Sequence, residues 1–252
     1  MIDTHAHYCD ERFDEDREAL LSGFHNSKNV YAIIEAGCDI PGSVRACELA
    51  EKHPFVYAAA GIQPQEVAGF RENDLDELCK LLSRPKVVAV GEIGLDYHYT
   101  ADDKELQKRV FRAQLEIAQS LKMPVVIHER DSIADCLECV FDYDVCGTFH
   151  AFSGSRETAK KLLDRGWYIS FGGTVTFKNA RVPVENAAYV PDDRILTETD
   201  CPYLTPHPFR GKRNDSGYMR FTIQKLAEIR GVEYEYIEHI TERNAKELFG
   251  IA

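Results

Sequence analysis

Eight times along this chain a short, β-rich apolar run gives way to a loop and then to a longer segment with helical spacing. The runs cover residues 2–7, 30–36, 56–61, 87–93, 124–128, 146–151, 167–172 and 194–199. Their cores are almost continuously apolar, the pattern of parallel strands covered on both faces. Between them, residues 103–122 place Leu106, Val110, Ala113, Ile117 and Leu121 on one helical face, with Phe111 and Ala118 beside them. Residues 155–165 open on Ser155, a good N-cap, and stop at Gly166. Residues 177–190 are harder to assign because Pro183 interrupts them. Helical patterns at 215–230 and 234–249 close the chain. This alternation predicts an α/β protein: a single (β/α)8 TIM barrel over residues 1–252, with C-terminal helices. A doubly wound open sheet is the fallback.

Composition narrows the partners. The formal net charge of −12 weighs against a protein that coats duplex DNA, since that affinity comes from neutralising phosphates. It leaves room for an enzyme that grips a few phosphates locally. No apolar run approaches the roughly 20 residues of a membrane span. Asp3, His5 and His7 interrupt the start where a leader would need an apolar stretch. A cytoplasmic protein with no membrane partner is the expectation, and a monomer. The eight cysteines then read as reduced thiols. Cys136 and Cys139 read as neighbours on a helix face, since about 0.25 C-x-x-C pairs arise by chance at this composition.

In a barrel, chemistry gathers at the C-terminal ends of the strands. Here those ends carry His5-Ala6-His7, then Gln63 and Gln65, Glu92, His128, His150, and finally Glu198-Thr199-Asp200. One H-x-H match means little, because about 0.3 are expected by chance. On a strand, however, side chains two apart share a face, so His5 and His7 would point together. Glu92 lies in an apolar run, where a carboxylate needs an ion-pair partner or a metal. For His128 or His150 taken singly, a hydrogen-bonded core histidine is the simpler reading. Taken together, four imidazoles and two carboxylates exceed the three ligands of one catalytic zinc. His5, His7, Glu92, His128, His150 and Asp200 suit two divalent ions, Mg, Mn or Zn, sharing a carboxylate. Such a pair is suited to phosphoryl displacement.

These residues resemble the TatD family of metal-dependent deoxyribonucleases, within the amidohydrolase-like barrels. The matching pieces are residues 2–7 (Ile-Asp-Thr-His-Ala-His), 91–97 (Gly-Glu-Ile-Gly-Leu-Asp-Tyr), 126–128, 149–154, 198–204 and the terminal 244–249, with a basic loop at 210–214. They run in order over nearly the whole chain. The resemblance implies that His5, His7 and Asp200 serve one metal, His128 and His150 a second, and that Glu92 bridges them. It implies hydrolysis of DNA phosphodiesters, as a 3′–5′ exonuclease on single strands or 3′ ends. Asp200 and Glu92 are then the catalytic carboxylates, and Glu198 a supporting group or additional ligand. Gln63 and Gln65 depart from the family, which usually has histidines there. Glutamine can donate to a phosphate but carries neither proton nor charge. Gln63 and Arg213 are candidate phosphate contacts, although Arg213 can equally be a solvated loop charge. Two rivals remain. One is a small-molecule amidohydrolase or phosphoesterase on the same barrel, disfavoured because no lysine lies near the end of the fourth run. The other is a barrel that binds nucleotides or a partner without catalysis.

Overall fold

In the computed structural model of the chain, which describes residues 1–27 and 29–251, the strands are β1 (Ile2–Ala6), β2 (Ala32–Ala36), β3 (Val56–Ala60), β4 (Val87–Asp96), β5 (Val125–Arg130), β6 (Gly147–Phe149), β7 (Tyr168–Phe171) and β8 (Ile195–Thr197). They form one sheet in the order β1 to β8. The order closes on itself. Asp200 N–H donates to the His5 carbonyl at 2.9 Å and His7 N–H to the Cys201 carbonyl at 2.8 Å, just past the end of β8. The expected (β/α)8 barrel is the fold.

Contacts divide the chain into two compact units, residues 1–35 with 150–252, and residues 36–149. In the first, β1 pairs with β2 through Ile2–Ala32 and Asp3–Ile33, and β7 with β8 through Ile169–Ile195. The helices α1 (Arg17–Ser27), α6 (Arg156–Leu163), α7 (Arg181–Tyr189), α8 (Met219–Arg230) and α9 (Tyr234–Phe249) belong to this unit. Its buried interior includes Ile33, Ile169, Ile195, Leu162, Ile223 and Ile240. Asn244 on α9 donates to the carbonyls of Asp192 and Ile195 at 2.8 Å, tying the helix to the start of β8. Ser155 caps α6 by accepting from Thr158 N–H, as its position suggests. Pro183 does not break α7. It sits in the first turn, where the N–H it lacks would have no intrahelical acceptor.

The second unit holds β3 to β6 with α2 (Ile40–Lys52), α3 (Asn73–Leu82), α4 (Lys104–Leu121) and α5 (Ile133–Phe141). Here α4 is rotated from the expected face. Gln107 and Gln114 are fully buried beside Val110, Phe111, Leu115 and Ala118, while Leu121 is 46 % exposed. The reason is backbone satisfaction at the strand ends. Gln114 accepts from Ile62 N–H (2.8 Å) and donates to its carbonyl (3.0 Å), and Gln107 does the same for Asp96 at 2.8 and 3.0 Å. A primary amide can donate and accept at once, which no apolar side chain can do for an unpaired peptide group. Cys136 and Cys139 are buried free thiols on α5, and burial pushes both upward in pKa. A buried thiol of raised pKa is inert, consistent with a packing role.

Candidate functional site

Unit 1 gathers His5, His7, His150, Glu198 and Asp200 at the ends of β1, β6 and β8. The two Nε2 atoms of His5 and His7 stand 3.0 Å apart. Asp200 Oδ1 lies 3.6 Å from the first and 3.4 Å from the second. With metal–ligand bonds of about 2.1 Å, tetrahedrally arranged donors lie roughly 3.4 Å apart, so this trio has the spacing of a coordination face. His150 stacks on His5 with ring centroids 4.0 Å apart and 18° between planes. Its Nδ1 is 3.6 Å from Glu198 Oε1.

Local backbone explains the convergence. Asp200 adopts a left-handed φ of 56°, unusual for a residue other than glycine. That turn, held by its N–H on the His5 carbonyl, swings its carboxylate back over β1. Ala151, also left-handed at φ 43°, donates its N–H to Glu198 Oε1 at 2.6 Å and so fixes Glu198 beside His150. Glu198 is fully buried, and among the described residues its other oxygen, Oε2, has no hydrogen-bond partner. A buried carboxylate oxygen without a donor is costly, and a cation would remove that cost. Burial works to raise Asp200, yet its hydrogen bond with His7 and the imidazoles of His150 and His5 hold it below the usual carboxylate range.

Two further buried carboxylates brace this cluster, and neither stands out in the sequence. Asp3 accepts from Thr199 N–H at 2.9 Å, from the Thr199 hydroxyl at 2.6 Å and from the Ser216 hydroxyl at 2.6 Å. It locks β1 to the residue between Glu198 and Asp200. Burial outweighs these bonds and lifts its pKa to about 7. Glu35 on β2 accepts from the N–H groups of Tyr8 and Cys9, each at 2.7 Å, and so fixes the chain leaving His7. Burial raises it also. An Asp two residues before the first histidine, and a Glu inside an apolar strand, were the available signals.

Unit 2 brings Glu92, Asp96 and His128 together. His128 Nδ1 is 2.7 Å from Glu92 Oε1 and its Nε2 is 3.1 Å from Asp96 Oδ2. Gly94 permits this. A Cβ there would lie 1.9 Å from the His128 carbonyl, and its φ is +149°, so β4 and β5 approach closely only at a glycine. Neutral imidazole offers one donor and one acceptor. Two carboxylates around one ring therefore call for positive charge, from a proton or a cation. Asp96 lies four residues beyond Glu92 on β4 and was not among the candidate ligands. Burial works to raise it, but hydrogen bonds from His128, Tyr99 N–H and Gln65 hold it well below the usual range. Gln65 Nε2 donates to Asp96 Oδ2 at 2.7 Å. Gln65 thus sits beside His128, while Gln63 occupies the N-cap position of the 310 segment Pro64–Gly69 without a side-chain capping bond, and its backbone N–H donates to the Cys38 carbonyl at 2.8 Å.

Arg213 lies elsewhere. It forms a two-pronged pair with Asp16 at 2.8 and 2.6 Å, donates to the Arg12 carbonyl at 2.6 Å, and lies over the Phe13 ring. Its guanidinium already has partners in unit 1.

A parallel barrel with imidazoles and buried carboxylates collected at its strand ends defines a class, the metal-dependent hydrolases. The family described as TatD related DNase matches residues 2–250. A Bacillus subtilis protein named as an uncharacterized metal-dependent hydrolase, YabD, is 42 % identical over 254 residues, covering 100 % of this chain and 99 % of its own. The Citrobacter koseri 3′-5′ ssDNA/RNA exonuclease TatD is 32 % identical over 260 residues, with both chains covered completely. The crystal structure of the Escherichia coli TatD homologue YJJV superposes with a TM-score of 0.94 at 30 % identity, over 100 % of this chain and 98 % of the other. The chain belongs to the TatD family and is a metal-dependent hydrolase acting on ester bonds. An organophosphorus hydrolase of Deinococcus radiodurans, at 13 % identity and TM-score 0.67, shares the fold. No helix among the described residues is long and apolar enough to cross a membrane.

Proposed function

We propose that this protein is a deoxyribonuclease that shortens single-stranded DNA from the 3′ end, using two divalent ions held by His5, His7, Glu92, His128, His150 and Asp200. The observation that carries the reading is the trio of His5, His7 and Asp200 at coordination spacing, with a partnerless Glu198 oxygen in the same unit. The exonuclease named among the relatives supports the reaction and its polarity. When bound, such ions polarise phosphoryl oxygens and acidify water.

The chain's own residues do the rest. Asp200, held in its carboxylate form, orients the attacking water and accepts its proton. Glu198 keeps His150 and the left-handed Ala151 turn in place and offers Oε2 as an additional ligand. Asp96 and Gln65 fix the plane of His128, which keeps its remaining edge aligned with Glu92. Gln63 reaches the scissile phosphate as an amide donor. Arg213 would have to leave Asp16 to do so.

The test is hydrolysis of end-labelled single-stranded DNA by metal-stripped protein with Mg, Mn or Zn restored. Asp200→Asn is the control and should fold normally while losing about 100-fold or more in rate, as expected for a lost general base. Shortening from the 3′ end that requires metal and Asp200 is the expected result. No cleavage with any ion, or full turnover by Asp200→Asn, would overturn the reading.

A further inference from the structure

The segments that follow β7 and β8 in unit 1 enclose a second feature, a cleft of about 500 Å3 lined by Phe177, Lys178, Asn179, His207, Pro208 and Arg210. No carboxylate lines it. Elsewhere in this unit Arg12 pairs with Asp10, Arg17 with Asp14, Arg181 with Glu185 and Arg230 with Asp192, whereas Arg156 and Arg220 lie over the Tyr189 and Phe221 rings. Among the described residues, Lys178 and Arg210 have no ion-pair partner. Arg210 instead lies over Phe177, its guanidinium carbon 3.8 Å from the ring centroid, and one of its N–H groups donates to the Thr205 carbonyl at 3.4 Å. A guanidinium over one ring keeps its remaining N–H groups and its other face available.

The walls of the cleft are tied together. Thr176 donates to the Gly173 carbonyl at 2.6 Å and accepts from His207 N–H at 2.8 Å, which pins one wall to the other. At Gly173 the walls touch: a Cβ would come within 2.1 Å of the Leu204 carbonyl. At Gly172 a Cβ would meet Glu198 Cγ at 3.4 Å. Gly172, five residues before Phe177, thus packs against the side chain that supports His150.

We propose that this cleft holds the backbone of a single-stranded polynucleotide at nucleotides beyond the scissile bond, with Lys178 and Arg210 on phosphates and the Phe177–Arg210 stack as a platform for a base. This rests on the nuclease reading above. Phosphate charge with base stacking is how single strands are held without sequence preference, and an acidic enzyme needs one such local patch to keep a polyanion on its surface.

The experiment uses the full chain with fluorescein-labelled dT15 and fluorescence anisotropy in EDTA across a salt series, comparing wild type, Lys178→Ala/Arg210→Ala, Phe177→Ala and a control, Lys225→Ala on α8. The double variant should bind about ten-fold more weakly. Its log–log salt slope should be shallower by about 1.4, the loss of two phosphate contacts on a single strand at about 0.7 each. Phe177→Ala should weaken binding with little change in slope. With metal restored, the double variant should raise KM for dT15 far more than it lowers kcat, and Lys225→Ala should change neither. Unchanged affinity and slope in the double variant, or no binding of dT15 by the wild type, would refute the proposal. If the wild type binds through Lys178 and Arg210 but cleaves with no metal, the nuclease reading fails and the cleft stands. If it cleaves with KM indifferent to the double variant, the cleft fails and the nuclease stands.

Discussion

Asp3→Ala probes how the barrel holds its ligands without removing one. Asp3 is completely buried and accepts from the Thr199 N–H, the Thr199 hydroxyl and the Ser216 hydroxyl. In the variant the Ser216 hydroxyl still has Tyr8, so the two Thr199 donors lose their acceptor, and the longer 3.4 Å bond from the His5 N–H goes with them. Each such buried donor costs about 1–3 kcal/mol, so the loss is about 4 kcal/mol. For a chain of this size that corresponds to a melting temperature lower by roughly 8–16 °C. Asp3→Asn keeps one acceptor oxygen, and the two hydroxyls can rotate to accept from its amide, so its loss should be less than half as large. Calorimetry in EDTA isolates this from metal binding. Because Thr199 lies between Glu198 and Asp200, affinity for Mn should also fall by about 10–100-fold, as for other residues that orient metal ligands. A melting temperature for Asp3→Ala within about 2 °C of wild type would mean that Thr199 is satisfied some other way. Equal losses in Ala and Asn would show that the space, not the hydrogen bonds, matters. Either result refutes the reasoning.

Glu198→Gln retains an acceptor for Ala151 N–H but replaces the partnerless oxygen. Stability in EDTA should hold or rise, while calorimetric Mn affinity falls by about ten-fold or more. Gln65→Ala removes a donor from Asp96 without touching His128. Turnover should drop by about ten-fold, with rescue by Gln65→Asn absent because the shorter chain cannot reach, and unchanged turnover would free Gln65 of any role. Arg213→Ala tests the two roles of that residue: with its guanidinium on Asp16, KM for oligonucleotide should stay unchanged and only thermal stability should shift slightly. A rise in KM would return Arg213 to the substrate.

Much of the architecture was legible because burial repeats locally. A strand covered on both faces must be apolar at nearly every position, so all eight runs could be located, most to within a residue or two. His5, His7, His150 and Asp200 lie at or close to strand ends as the pattern suggested, whereas β4 runs on to Asp96 and leaves Glu92 inside the strand, and β5 runs on to Arg130 past His128. Helical periodicity was less faithful on α4, where Gln107 and Gln114 occupy core positions that polarity alone assigns to solvent. Pro183 looked like an interruption because its tolerance depends on falling in a first turn.

What the sequence by itself determined is the order of strands and helices and the set of side chains that a barrel would bring to its rim, since each depends on the pattern within one segment. Tertiary structure alone decided the partners. Asp3 finds Thr199 across 196 positions and Arg213 finds Asp16 across 197. Gln65 reaches Asp96 across 31 positions, and Lys178 and Arg210 have no carboxylate partner among the described residues. A polar side chain's partner is set by which distant backbone passes within about 3 Å, the reach of a hydrogen bond, and no local pattern encodes that distance.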